Sequence, residues 1–402
     1  MSRPIAVRDG AADATGRGAA LDRPATGRLR LLWCGAFAFF SSFYLLLAAL
    51  PLYAREAGAS DAAIGLVIGS FAFASMVVKP WAGWASDRFG RKPLLLAGQM
   101  IFLIASLSYG VTAGTLALFL VRLVHGSGMG LFPTAASTVV TDLAPPGRRG
   151  EYLGVFGAAG NTAMALGPIA GMAVVGHLGF RGLFLAGAVA AGAGLLITAA
   201  VPETLREPRR LPFRLEAAFS RAALPPALVV LLLMLTYGAQ VSFLPLFAHE
   251  QKMDPGLFFV VFALMMAAVR GRAGRLSDRL GRVPVAVTGL MLVAFALVTQ
   301  IVMRNVLGLV AAGALYGIGF GSAQSALMAW CVDRTGPHDR GRAMGTYYTA
   351  FELGGGTGAI LSGVAVGRVG FAATFMIVVA TTLAGAIFAL AAGRTSAPRA
   401  VS

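Results

Sequence analysis

Residues 83–92 read GWASDRFGRK, and residues 274–283 read GRLSDRLGRV. Two copies of so distinctive a segment, 191 positions apart, call for a search at the same offset elsewhere. The offset maps Pro93 onto Pro284, Gly98 onto Gly289, and Asp142 onto Asp333. It maps Gly126, Gly128 and Gly130 onto Gly317, Gly319 and Gly321, Gly167 onto Gly358, and Gly179-Phe180 onto Gly370-Phe371. The register runs without a gap from Gly83 to Phe184. Nearer the start, LPLYARE at 50–56 matches LPLFAHE at 244–250 after a three-residue shift. Similarity by chance among apolar segments does not hold register over that length, so the chain is one unit followed by its copy.

Composition says what the unit is. The 402 residues are 57% hydrophobic and 12% charged, with a mean hydropathy of +0.76. A soluble domain cannot hide that much apolar surface. A bilayer core of about 30 Å takes roughly 20 apolar residues per helix. By that measure six spans lie between Leu31 and Val201 and six between Pro226 and Ala392. The expected fold is an all-α membrane protein of twelve transmembrane helices in two parallel six-helix repeats. The short alternating segments of a β-barrel are absent. Expected boundaries are a disordered cytoplasmic tail over 1–27, a first half over 28–201, and a Pro- and Arg-rich cytoplasmic linker over 202–222. A second half over 223–393 and a tail over 394–402 complete the chain. Cys34 and Cys331 sit in apolar spans with no disulfide or metal-binding spacing, so they read as small packed residues and no metal site is expected.

The net charge of +16 suggests nucleic acid until the charges are placed. Outside the spans, only Arg55, Arg181, Lys252, Arg304 and Arg368 fall on one side; the tails, linker and remaining loops carry the rest on the other. That is the positive-inside asymmetry, which puts both termini in the cytoplasm and the basic loops against lipid headgroups. Charges scattered over loops do not form a nucleic-acid surface.

Six plus six helices and a duplicated G-x-x-S-D-R-x-G-R segment resemble the major facilitator superfamily over the whole chain apart from its tails. Arg122-Leu-Val-His125-Gly126-Ser-Gly128 resembles that family's fourth-span motif, with His125 where glutamine is usual. Gly157 through Gly167-Pro168-Ile-Ala-Gly171 resembles its fifth-span antiporter motif, with Met172 in place of the final glycine. Among its members, bacterial drug:proton antiporters and metallophore exporters are most alike, which implies the inner membrane of a bacterium. The resemblance also implies a gate at the duplicated loop: Gly83, Asp87, Arg88, Gly90, Arg91 and Lys92, and in the copy Asp278, Arg279, Gly281 and Arg282. Asp87 would dock on helix ends and lock an outward-open state. Gly83 and Gly90 are expected to permit the tight turn.

Ionisable residues inside spans are costly, about 2.5–3.5 kcal/mol at mid-helix on insertion scales, and are functional by default. Of 17 acidic residues, only Glu352 falls well inside a span. Desolvation there favours the neutral acid unless a cation lies near, so Glu352 is the expected proton carrier. Its counterpart in the repeat is Asn161, which cannot titrate. Arg122 has Gly313 as counterpart and is the second candidate, with backbone carbonyls, an anionic substrate group or Glu352 as partner. Lys79, Arg270 and Arg272 read first as anchors near span ends, and His125 as a packed, hydrogen-bonded residue. Tyr44, Arg122, Asn161, Tyr237, Gln240, Tyr316 and Gln324 are expected to line a cavity between the halves. The glycines of 126–130 and 317–321 lie mid-span, where small residues let helices approach, rather than in a nucleotide loop. Gly167, Pro168 and Gly171 are expected to form a hinge.

The function expected is secondary active transport by alternating access: proton-coupled efflux of a small amphipathic drug or secondary metabolite. Uptake or export of a small metabolite such as a sugar or metallophore is the alternative. A membrane receptor or enzyme is the reading from another class. No metalloprotease, serine-hydrolase or Walker motif supports it, and neither a charge ring nor a filter segment supports a channel. The expected partners are the bilayer, protons and a small-molecule substrate, acting on a monomer without cofactor.

Overall fold

Lipid offers no hydrogen bonds to a backbone, so a long apolar run must satisfy its own N–H and C=O groups as a helix. The structure, a computed structural model, describes residues 23–112, 114–145, 148–205, 219–335 and 339–394. Most of the expected N-terminal tail, residues 206–218 of the linker and all but the first residue of the C-terminal tail lie outside the described residues. The first half contains α1 (Arg23–Leu47), α2 (Leu50–Glu56), α3 (Asp61–Phe89), α4 (Arg91–Tyr109), α5 (Thr115–Leu143) and α6 (Arg149–Ala199). After a 3₁₀ turn at Arg221–Ala223 come α7 (Leu224–Glu250), α8 (Pro255–Leu280), α9 (Arg282–Val302), α10 (Val306–Asp333) and α11 (Arg340–Arg394). Helix α1 already begins inside the stretch expected to be a tail, because residues 23–27 extend the apolar helix that follows.

Among the described residues, ten helices are long and apolar enough to cross a membrane, not the twelve expected. The difference is local. Helix α6 has 51 residues, about 76 Å at 1.5 Å per residue, against a core of about 30 Å. Its only non-helical residue is Gly179 (φ 65°), and α11 is interrupted in the same way at Gly370 (φ 77°). Only glycine takes such a conformation without strain. Packing shows that the chain reverses there. Along α6, Gly160, Gly167 and Gly171 approach Phe40, Tyr44 and Leu45 of α1, whereas beyond Gly179 Gly187 approaches Leu46 and Gly194 approaches Gln99, itself bonded to Gly35. Both legs descend α1 as they leave Gly179, so they run antiparallel. The legs of α11 do likewise along α7: Gly358 and Gly354 meet Leu235 and Leu231, and Phe375 and Gly385 meet Phe247 and Leu232. The ten helices therefore fold as twelve legs, with the turn between the last two legs of each half reduced to one glycine.

The repeat holds in three dimensions. A Cβ on Gly126, Gly128 or Gly130 would strike Phe71, Gly98 or Val78; on Gly317, Gly319 or Gly321 it would strike Phe262, Gly289 or Val269. Every contact pair is the other shifted by 191. The halves part company where the sequence shift predicts. The first breaks at Ala48–Ala49 between α1 and α2, and the second, with three more residues there, keeps α7 unbroken. Large apolar side chains face outward along the helices, including Leu66, Ile104, Leu185, Phe295 and Ile387, as they do on a surface that meets lipid.

Candidate functional site

The duplicated loop is the first place where function was expected. Gly90 and Gly281 hold φ of 108° and 95° between α3 and α4 and between α8 and α9, so glycine is required at both. Gly83 lies inside α3 with open space beside it, so the expectation that it enables the turn fails. Arg91 folds back to pair with Asp87 (3.1 Å) and Asp142 (3.3 Å) and donates to the Ser86 carbonyl (2.9 Å). Arg282 repeats this with Asp278 and with Asp333 (2.7 Å). Arg88 lies over the rings of Trp84 and Phe89, while Arg279 is exposed. Among the described residues, the ion pairs of Asp87 and Asp278 stay within their own halves. The expected docking of Asp87 as a lock is not made in this conformation.

One residue absent from the expected gate closes the first loop. The Glu203 carboxylate accepts from the backbone N–H of Arg91 (3.0 Å) and Lys92 (2.9 Å), at the N-terminus of α4. It also accepts from Thr204 and Leu205 (both 2.8 Å). Burial pushes this carboxyl up, but the N–H groups of Leu205, Lys92, Arg91 and Thr204 together outweigh it and hold the group below the usual carboxylate range. Proximity in sequence gave no hint of it, since Glu203 follows α6 and its counterpart at 394 is arginine.

Between the halves lies a cavity of ≈ 300 Å³. Its walls come from α1, α3, α5 and the first leg of α6, and from α7, α8, α10 and the first leg of α11. Helices α4 and α9 and both second legs stand outside it. The lining keeps the repeat: Phe71 with Phe262, Met129 with Phe320, and Asn161 with Glu352. The expected Tyr44, Arg122, Asn161, Tyr237, Gln324 and Glu352 all reach this cavity.

Gln240 and Tyr316 do not line it. The amide of Gln240 on α7 exchanges two hydrogen bonds with Gln300 on α9 (3.0 and 3.1 Å), which satisfies it inside the second half. The Tyr316 hydroxyl bonds Thr236 (2.7 Å) while its ring packs among Phe258, Phe262 and Phe320. Both are polar groups paired between helices. Helical periodicity alone does not separate that role from cavity lining. The hinge residues are packing positions as well. Helix α6 stays helical through Pro168, and Gly167 and Gly171 seat it on Tyr44 and Leu45.

The chief surprise is Lys79. Expected as an anchor, it forms an ion pair with Glu352, joining α3 of one half to α11 of the other. Arg122 is thus not the partner of Glu352. Its guanidinium is buried, lies 4.3 Å over the Phe71 ring, and leaves Nε without a hydrogen bond. His125 is packed as expected, bonding the Tyr109 hydroxyl (3.1 Å) among the rings of Phe71 and Phe102. Arg270, the counterpart of Lys79, is likewise no mere anchor: it lines the cavity and donates to Gln324 (3.0 Å). Arg272 is exposed and bonds the Ala268 carbonyl, as an anchor would. Close approaches between the halves cluster on one side of the Lys79–Glu352 pair. Gly65 meets Ala359, Gly363 meets Asp61, and Gly256 meets Ile169.

These features match a known family. The family model of the Major Facilitator Superfamily matches residues 32–272 and again 254–402. The chain belongs to the Major Facilitator Superfamily. Its fold and family are those of multi-pass membrane transporters of small molecules rather than enzymes. An uncharacterized MFS-type transporter of Methanocaldococcus jannaschii is 22% identical over 368 residues, 87% of this chain and 95% of that protein. The quinolone resistance protein NorA of Staphylococcus aureus is 26% identical over 149 residues. That alignment spans only 37% of this chain and 38% of NorA. Among solved structures, the nucleoside transporter NupG superposes with a TM-score of 0.77 at 16% identity, over 90% of this chain and 99% of that one.

Proposed function

We propose that this superfamily member is a proton-coupled exporter of a small amphipathic molecule, working by alternating access about the central cavity. The observation that carries the reading is the Lys79–Glu352 pair. It joins the two halves at the cavity wall, and one of its members is the single carboxylate lining that cavity among the described residues. A ligand shifts a conformational equilibrium only by its differential interaction with the two states. A proton on Glu352 has such a difference, because it removes the charge that holds Lys79 across the interface. A partly buried cation left without its partner is disfavoured, so protonation biases the halves to move apart there. The asymmetric placement supports this, since Asn161 at the equivalent point binds no proton. The resistance role named for NorA supports export over uptake.

The test is accumulation of a fluorescent amphipathic dye in everted vesicles under an imposed proton gradient. Accumulation should vanish when the gradient is collapsed. Accumulation that outlives the gradient removes proton coupling from the account.

A further inference from the structure

The charges facing the cavity do not balance. Arg122, Arg270 and Glu352 line it, and Lys79 takes up the one carboxylate. Neither Arg122 nor Arg270 has a carboxylate partner among the described residues. The repeat accounts for Arg270. Shifting Lys79 and Glu352 by 191 in opposite directions gives Arg270 and Asn161, so the second copy keeps the cation and replaces the acid by a neutral amide. Asn161 also faces the cavity. Arg122 has no counterpart charge, since position 313 is glycine. It is only 4% exposed, and its Nε makes no hydrogen bond.

Two guanidiniums in a low-dielectric cavity without counter-charge favour an anion. Their planar fork fits a carboxylate or sulfonate better than a lone point charge does. The rest of the wall is apolar, with Phe71, Phe262, Phe320, Met129 and Met234. At ≈ 300 Å³ the space is at the small end for organic ligands. We infer that the cavity selects small aromatic or aliphatic molecules bearing an anionic head group, drawn by the uncompensated charge of Arg122 and Arg270 on its wall, while the apolar body lies among the phenylalanines and methionines. The phenyl ring of Phe71 lies 4.3 Å from the Arg122 guanidinium and helps hold it there. The inference rests on the reading of this cavity as the transport site.

Binding without any gradient tests it apart from coupling. The purified full-length protein in lipid nanodiscs is dialysed against naphthalene-2-carboxylate, naphthalene-2-carboxamide and naphthalen-2-ylmethylammonium, with empty nanodiscs subtracted. These share one apolar body and differ in charge. The carboxylate should bind at least about tenfold more tightly than the amide, with the ammonium weakest. Arg122→Gln and Arg270→Gln should each narrow the gap between carboxylate and amide, in protein that remains monodisperse. The comparison of the three probes on the unaltered protein stands even if a variant does not fold. Equal affinities, a preference for the ammonium, or no binding of the carboxylate overturns the inference. If Glu352→Gln still drives uphill transport while the carboxylate preference holds, proton coupling through Glu352 falls and the anion site remains.

Discussion

The two halves pack alike and are charged differently. Gly126 rests on Phe71 as Gly317 rests on Phe262, and Arg91 binds Asp87 and Asp142 as Arg282 binds Asp278 and Asp333. At the cavity the correspondence stops. One half offers Lys79, Arg122 and Asn161, and the other Arg270 and Glu352. At the crossings where Gly126 and Gly317 sit, both copies keep a glycine, because a side chain there would strike the neighbouring helix. A cavity wall imposes no such limit, so one copy can carry an acid and the other a neutral amide. The lesson is that the symmetry of this chain lies in its packing, and that the proposed transport chemistry draws on its asymmetry.

The largest effect should come from erasing the asymmetry. Glu352→Gln makes both positions neutral, and uphill accumulation in the vesicle assay should be lost, by about a hundredfold in rate or more for a group that carries the proton. Retained accumulation would return Glu352 to a structural role. Symmetric positions should instead fail symmetrically. Gly126→Val and Gly317→Val each drive a side chain into the backbone of a neighbouring helix. Each should cost about 1–3 kcal/mol, read as similar drops in thermal unfolding temperature in detergent; a large gap between them would break the packing equivalence.

The loops should give smaller and unequal effects. Arg91 is 9% exposed and Arg282 24%, so removing a partner carboxylate leaves a more buried cation in the first half. Asp87→Asn should slow transport several-fold and Asp278→Asn less, at equal amounts of inserted protein. Normal turnover by Asp87→Asn would deny the loop a part in gating.

The smallest effect concerns Glu203, which the second half lacks. Its carboxyl is held below its ordinary value, so its contribution is present above about pH 4.3, the unfolded value, and is lost as pH falls through the lower folded one. Glu203→Gln should destabilise the protein by about 1 kcal/mol or less at neutral pH, given solvent screening. The difference from the unaltered chain should fade in acid. A difference that grew in acid would contradict the bonding described.

Several features are legible in the sequence alone. The offset of 191 follows from two matching ten-residue segments, and lipid-length apolar runs admit little but helices. Glu352 stood out because a charge in a span is expensive wherever the span packs. The sequence by itself therefore determined the helical membrane fold, the duplication, and which intramembrane acid is exceptional. It did not decide partners. Lys79 and Glu352 are 273 positions apart, Arg91 and Glu203 112 apart, and Gln240 and Gln300 sit on helices with no pattern to link them. Nor did it distinguish a polar side chain facing the cavity from one paired between helices, as Asn161 and Tyr316 demonstrate. Periodicity fixes which face of a helix a residue occupies, whereas the neighbour on that face is set by how helices from both halves come together. Only the tertiary structure could join the cation of one half to the acid of the other and leave two arginines facing the same cavity.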